Sequence, residues 1–212
     1  MIVEHLYVGP LQCACTLAVD EETREAVVVD PGDEPDRILG RLAQHHARLT
    51  HILVTHAHLD HVAGYAALRA TTGAAGALHR SDLPLYARLA NQARYLGMAE
   101  PATAPFDAEL KDGETRWLGT MTVETIFTPG HTLGSCCFAL RDGDRTMLLT
   151  GDTLFAGSIG RWDVGGISQV AVVESIQTRL LPYADATPVV PGHGPQTTIG
   201  RERAENPYLR AP

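Results

Sequence analysis

The chain has 212 residues, a length that one domain can fill around a sizeable core. Hydrophobic residues make up 44% and charged residues 20%, which excludes global disorder, and an aromatic share of 6% leaves Leu, Val, Ile and Ala to form most of the core. Seventeen Lys and Arg against twenty-five Asp and Glu give a net charge of −8, a sign that repels phosphate backbones and argues against a nuclease or any nucleic-acid partner.

Met1-Ile2-Val3-Glu4-His5-Leu6 reads as an opening strand, because no basic region precedes an apolar stretch as it would in a signal peptide. No apolar run approaches membrane-spanning length, so no membrane partner is expected. Residues 17–19 and 26–29 flank the charged turn Asp20-Glu21-Glu22 and read as a hairpin. Asp30-Pro31-Gly32-Asp33 then ends a strand and precedes a helix over residues 35–46, with Ile38, Leu39 and Leu42 on one face. A strand over 51–55 stops at a histidine cluster, and 60–70 has helical composition. From 81 to 97 the pattern is again helical. There Tyr86, Leu89, Tyr95, Leu96 and Met98 read as core packing in preference to a roof over a site. After a loop opened by Pro101 and Pro105, strands are expected at 115–118, 121–127, 136–140 and 147–150, then a helix over 168–181 and a last strand over 188–190.

Three strands end in turns of one kind: Val29-Asp30-Pro31-Gly32, Phe127-Thr128-Pro129-Gly130-His131 and Val190-Pro191-Gly192-His193. With the shared strands-then-helix rhythm of the two halves, this echo predicts a duplicated αββα sandwich, an α/β fold of one domain over residues 1–212, whose strand ends converge on one edge. The cysteines fall in two close pairs, Cys13/Cys15 and Cys136/Cys137, which suit neither an intrachain disulfide nor a zinc ribbon. Buried free thiols in a reducing, cytoplasmic setting are expected.

Five histidines fall in strand-end loops, His56, His58, His61, His131 and His193, and Asp60 and Asp152 share that context. Imidazole with carboxylate suits zinc, iron or manganese better than magnesium or calcium. Along Thr55-His56-Ala57-His58-Leu59-Asp60-His61 the first two histidines alternate on an extended segment and point the same way. Asp60 and His61 lie at the start of a helix, so one short stretch can serve two metals. The lack of Cys among these residues favours a catalytic over a structural site. His5, His45, His46, His51 and His79 read as ordinary polar residues.

His-Ala-His-Leu-Asp-His followed by isolated His131, Asp152 and His193 resembles the metallo-β-lactamase superfamily across almost the whole chain. The resemblance implies the four-layer αββα sandwich and two divalent cations, zinc first, with iron or manganese as alternatives. By it, His56, His58 and His131 would hold the first metal, Asp60, His61 and His193 the second, and Asp152 would bridge them. Gly151-Asp152-Thr153-Leu154-Phe155-Ala156-Gly157-Ser158-Ile159-Gly160-Arg161 and Thr128-Pro129-Gly130-His131-Thr132-Leu133-Gly134-Ser135 resemble the glyoxalase II branch, hydrolases of glutathione thioesters such as S-lactoylglutathione. That likeness implies a small-molecule thioester substrate, a hydroxide held between the metals with Asp60 and Asp152 catalytic beside it, and Arg161 binding the thiol carrier. An ion pair with Asp163 is the alternative role of Arg161. Nineteen residues follow His193, so the extra C-terminal helical domain of larger glyoxalase II enzymes is not expected. An iron-dependent persulfide dioxygenase of the same fold, a lactonase and a non-catalytic metal-binding protein are the rival readings, and nothing in the sequence sets an oligomeric state.

Overall fold

The computed structural model describes residues 1–210; Ala211 and Pro212, the end of the expected 1–212 domain, lie outside the described residues. In chain order the first half runs β1 (Ile2–Val8), β2 (Cys13–Val19), β3 (Glu25–Val29), α1 (Pro35–Gln44), β4 (Arg48–Leu53), α2 (Leu59–Val62), α3 (Tyr65–Thr72), β5 (Ala75–Leu78), α4 (Leu83–Tyr86), α5 (Leu89–Leu96) and β6 (Ala108–Glu109). The second half runs β7 (Thr115–Leu118), β8 (Met121–Phe127), β9 (Cys136–Asp142), β10 (Arg145–Gly151), a small hairpin of β11 (Leu154–Phe155) and β12 (Ser158–Ile159), α6 (Gln169–Ser175), β13 (Pro188–Pro191), β14 (Thr197–Thr198) and α7 (Ile199–Glu205). Two six-stranded sheets result, ordered β1-β2-β3-β4-β5-β6 and β14-β13-β10-β9-β8-β7.

Both faces of each sheet are covered, and the strands record this in their side chains. Along β3, Val27 and Val29 face the space between the sheets, while Ala26 and Val28 face the helices outside. In β9, Cys136, Phe138 and Leu140 turn inward and Cys137 and Ala139 outward. A strand wrapped on both faces reads as an unbroken apolar run, as 26–29 and 136–140 do, because the period-two alternation then sorts residues between two cores. The outer cores are closed by Ile38 and Leu42 of α1 with Leu68 of α3 on one side, and by Val172 of α6 with Ile199 of α7 on the other. These layers are the expected αββα sandwich. All four cysteines are buried free thiols, as expected.

The expected helix over 60–70 is broken into α2 and α3. The Gly64 N–H leaves the helix and donates to the Pro31 carbonyl at 2.8 Å, tying this segment to the turn after β3. The helical pattern over 81–97 is likewise divided, between α4 and α5. Strand β5 has no counterpart in the sequence reading. Its residues, Ala75-Gly76-Ala77-Leu78, carry little strand propensity. A Cβ at Gly76 would come within 2.1 Å of the Tyr65 hydroxyl, so the glycine that weakens the local signal is what lets α3 close on the sheet.

Glu4 of β1 ties α1 to the sheet. Its carboxylate accepts from the Arg41 guanidinium, with Nε at 2.7 Å, and lies 2.8 Å from His45 Nε2. Arg41 holds the Glu4 carboxyl down at about 2. A depressed carboxylate contributes stability that is present above its ordinary value near 4.5 and is lost as the pH falls through the folded value. The urea midpoints of wild type and Glu4→Gln are therefore expected to converge as pH falls from about 4.5 to about 2. A constant offset across that window would remove the ionic role of Glu4.

Candidate metal centre

Four strand ends, one from the first sheet and three from the second, deliver the seven predicted residues to one place. Beyond β4, Val54, Thr55, His56 and Ala57 are buried, and the backbone stays extended to His58 before α2 begins. Asp60 and His61 sit on α2. His131 follows β8, Asp152 follows β10 and His193 follows β13. The approach is close: a Cβ on Gly192 would lie 2.4 Å from Asp152 Oδ1 and 2.6 Å from His61 Cε1.

His56 Nε2, His58 Nδ1 and His131 Nε2 form a triangle with edges of 3.0, 3.0 and 3.1 Å. Beside it, His193 Nε2 lies 3.0 Å and His61 Nε2 3.7 Å from Asp60 Oδ2. Asp152 stands between the groups, Oδ2 at 3.6 Å from His131 Nε2 and Oδ1 at 3.3 Å from His61 Nε2. The seven residues thus fall into the His56-His58-His131 triad and an Asp60-His61-His193 group, with His56, His61 and Asp152 making a third group that overlaps both.

Behind four of the five rings the second nitrogen has a fixed partner. His131 Nδ1 donates to the Arg161 carbonyl at 2.6 Å, His193 Nδ1 to the Leu11 carbonyl at 3.0 Å, and His61 Nδ1 to Asp30 Oδ2 at 2.9 Å. The Thr55 hydroxyl donates to Asp30 Oδ2 at 2.7 Å and so accepts from His56 Nδ1 at 3.0 Å. A neutral imidazole has one N–H, so His56 and His131 turn bare Nε2 lone pairs to the centre, whereas the anionic groups beside His61 and His193 push both rings up against burial, toward the charged form. Burial first, then the neighbouring rings, lowers His56 well below the usual histidine range and His58 to about 4, so the triad is neutral. Burial likewise lowers His131.

At the other cluster the field has the opposite sense. Burial works against charge on His61, and the Cys13 sulfur with the carboxylates of Asp152, Asp30 and Asp60 outweighs it, so positive charge is favoured there. His61 Nε2 and Asp152 Oδ1 are buried with no hydrogen-bond partner among the described residues. Leaving such atoms unpaired is costly. A cation in each cluster removes both problems, and the triangle's edges approach the nitrogen spacing of a tetrahedral ion with Zn–N of roughly 2.0–2.1 Å. The donor set fits two divalent metals.

Three supporting residues were not singled out from the sequence. Asp30 orients His61 directly and His56 through Thr55, and it also accepts from the Thr55 N–H at 2.7 Å. Asp82 is buried and accepts from Ala57 N at 2.9 Å, Thr132 Oγ1 at 2.8 Å and Gly134 N at 2.6 Å, clamping the loops of the histidine triad together. Gln92 of α5 accepts from Leu59 N at 3.0 Å and donates to the Ala57 carbonyl at 3.1 Å. The repeated strand-end turn was a usable signal for Asp30. Asp82 and Gln92 had none, because they grip backbone groups far away in sequence.

The centre opens into a cleft of about 870 Å³ lined by His58, Asp60, His131 and Asp152, with apolar walls from Leu11, Phe155 and Ile159. Arg161 is on the wall, but Asp163 holds its guanidinium at 2.9 and 2.8 Å, so the alternative ion pair is present. The α4–α5 segment forms another wall through Leu85, Tyr95 and Leu96. This corrects part of the packing expectation. Leu89 is core and Tyr86 and Met98 pack on it, whereas Tyr95 is 90% exposed, because α5 turns Leu89 and Ala93 inward and Tyr95 outward.

Asp30→Asn offers one carbonyl oxygen where the carboxylate has two acceptors, so either the Thr55 N–H or the Thr55–His61 pair loses its partner. Competition with a chromophoric chelator is expected to show metal affinity weaker by about 10- to 100-fold. Unchanged affinity would mean that Asp30 does not orient the ligands.

The sequence matches the family described as the metallo-beta-lactamase superfamily over residues 8–199. It is 34% identical to "Hydroxyacylglutathione hydrolase GloC" of Haemophilus influenzae, covering 100% of this chain and 99% of that protein. The fold is similar to the BLEG-1 B3 metallo-beta-lactamase, with a TM-score of 0.89 and 32% identity over 99% of this chain and 100% of that one. It is similar also to TTHA1623 in a di-iron-bound form, with a TM-score of 0.87 and 37% identity over 98% and 100%. With its strand-end centre and this match along most of its length, the chain belongs to the metallo-β-lactamase superfamily and is a metal-dependent hydrolase.

Proposed function

We propose that this hydrolase cleaves thioesters of the S-lactoylglutathione type. His56, His58 and His131 hold one divalent cation, Asp60, His61 and His193 hold the other, Asp152 lies between them, and zinc is the metal assigned to both. The observation that carries the reading is that the carboxylates at the centre, Asp60 and Asp152, stand against histidine nitrogens at 3.0 and 3.3 Å and so are placed to accept protons. The three carboxylates of the cleft, Asp60, Asp152 and Asp163, all lie below the usual carboxylate range. For Asp60 and Asp152 burial opposes ionisation and His61 leads the histidines that outweigh it, while Arg161 acts on Asp163.

Ionised carboxylates accept protons and do not donate them. A peptide or lactam nitrogen needs a proton to leave, whereas a thiolate with a pKa of about 8.5 leaves unprotonated. The likeness to GloC, whose name states hydroxyacylglutathione hydrolysis, supports the same choice. When bound, the cations supply the Lewis acidity that makes water nucleophilic at neutral pH and polarises the scissile carbonyl. Asp60 and Asp152 accept the proton that the attacking water gives up. Leu11, Phe155 and Ile159 pack on the substrate and exclude bulk water. Arg161 meets a carboxylate of the thiol carrier by exchanging Asp163 for it. A role in clearing 2-oxoaldehydes such as methylglyoxal follows from that substrate, and the four free thiols support a cytoplasmic setting. No helix among the described residues is long and apolar enough to cross a membrane.

Asp60→Asn and His61→Ala are each expected to reduce S-lactoylglutathione turnover by at least about a hundredfold with the circular dichroism spectrum retained. Near-wild-type turnover would end the two-metal reading. Oxygen consumption with glutathione persulfide, without hydrolysis, would transfer the assignment to an iron dioxygenase. Arg161→Ala is expected mainly to raise KM, and an unchanged KM would return Arg161 to its ion pair with Asp163.

A further inference from the structure

Two guanidinium groups line the cleft, and their states differ. Arg161 is engaged through two hydrogen bonds by Asp163. Arg88, at the junction of α4 and α5, pairs with no carboxylate among the described residues. Its base is nevertheless fixed: the Arg88 carbonyl accepts from Asn91 N at 2.9 Å and Gln92 N at 3.0 Å. Gln92 in turn is bonded to the backbone on either side of His58, at Ala57 and Leu59. The helix that carries Arg88 is thereby registered on the metal loop itself.

Residues three and four apart share a helix face. Arg88 precedes Gln92 by four and Tyr95 follows it by three, so the anchored face is also the one that lines the cleft, with Asn91 adjoining. Tyr95 is 90% exposed and lines the same cleft as Arg161. The wall therefore offers an uncompensated cation, an amide and a phenol, flanked by Leu85 and Leu96. An unpaired guanidinium beside apolar side chains suits a carboxylate, which it can engage through two parallel hydrogen bonds.

We infer that Arg88 is the specificity-determining cation of the cleft. It selects thioesters whose thiol carrier bears a carboxylate over those with a neutral carrier, with Asn91 and Tyr95 as accompanying donors. The inference rests on the thioester reading. It assigns to the α4–α5 segment the carrier recognition that Arg161, already paired, supplies only after giving up Asp163.

The test uses the metal-loaded enzyme with S-lactoylglutathione and with the lactoyl thioester of N-acetylcysteamine, whose carrier is uncharged. For Arg88→Gln the ratio of kcat/KM for the glutathione thioester over the neutral one is expected to fall about tenfold, chiefly through KM, with part of the loss restored in Arg88→Lys. Titration calorimetry with S-methylglutathione, a thioether that the enzyme does not turn over, is expected to show the same weakening. An unchanged ratio, or unchanged S-methylglutathione binding, would overturn the role of Arg88 while leaving thioester hydrolysis in place. If the loaded wild-type enzyme hydrolysed neither thioester, the thioester reading would fail and the inference with it.

Discussion

Four imidazole Nε2 atoms and two carboxylates meet in one crowded space, and the rest of the molecule is arranged to hold them there. Each ring is oriented from behind, by a carbonyl at His131 and His193 and by the Asp30–Thr55 pair at His61 and His56. Lone pairs facing one another repel, and buried polar atoms without partners destabilise a fold. The native state carries this burden at His61 Nε2 and Asp152 Oδ1 unless positive charge fills the centre. Metal binding here is therefore a property of the fold as much as of the ligand list.

The sandwich is what makes such crowding tolerable. Strands buried on both faces are rigid, and the turns after β4, β8, β10 and β13 emerge from them close together. Asp82 then locks the first triad by gripping the backbone at Ala57 and Gly134, so that His58 and His131 cannot drift apart. Gln92 extends the same framework to α5. The cleft wall is thus built on the metal loop, which connects the packing of a surface helix to the shape of the cleft.

Much of this was legible in the chain itself. Unbroken apolar runs such as 26–29 and 136–140 marked doubly buried strands, and the repeated turn predicted converging strand ends. The spacing of His56, His58, Asp60 and His61 by itself divides them between two clusters. What stayed hidden depends on contacts distant in sequence. Strand β5 is made of small residues because Tyr65 fills the space a side chain would need at Gly76. The break between α2 and α3 comes from a bond to Pro31. Tyr95 fitted the spacing of core anchors, yet only the packing of Leu89 and Ala93 decides which face of α5 points outward.

Asp60 and Asp152 are the carboxylates at the centre, and both stand within 3.3 Å of a histidine nitrogen. Everything depends on cations filling the two clusters. The decisive measurement is metal content per chain by mass spectrometry, combined with thermal unfolding of the same sample before and after chelation. The account predicts two divalent ions per chain, one for each cluster, and a marked fall in Tm when they are removed, since a ligand bound only by the native state stabilises it. A chain that carries no metal, or whose Tm is the same with and without chelator, would contradict it.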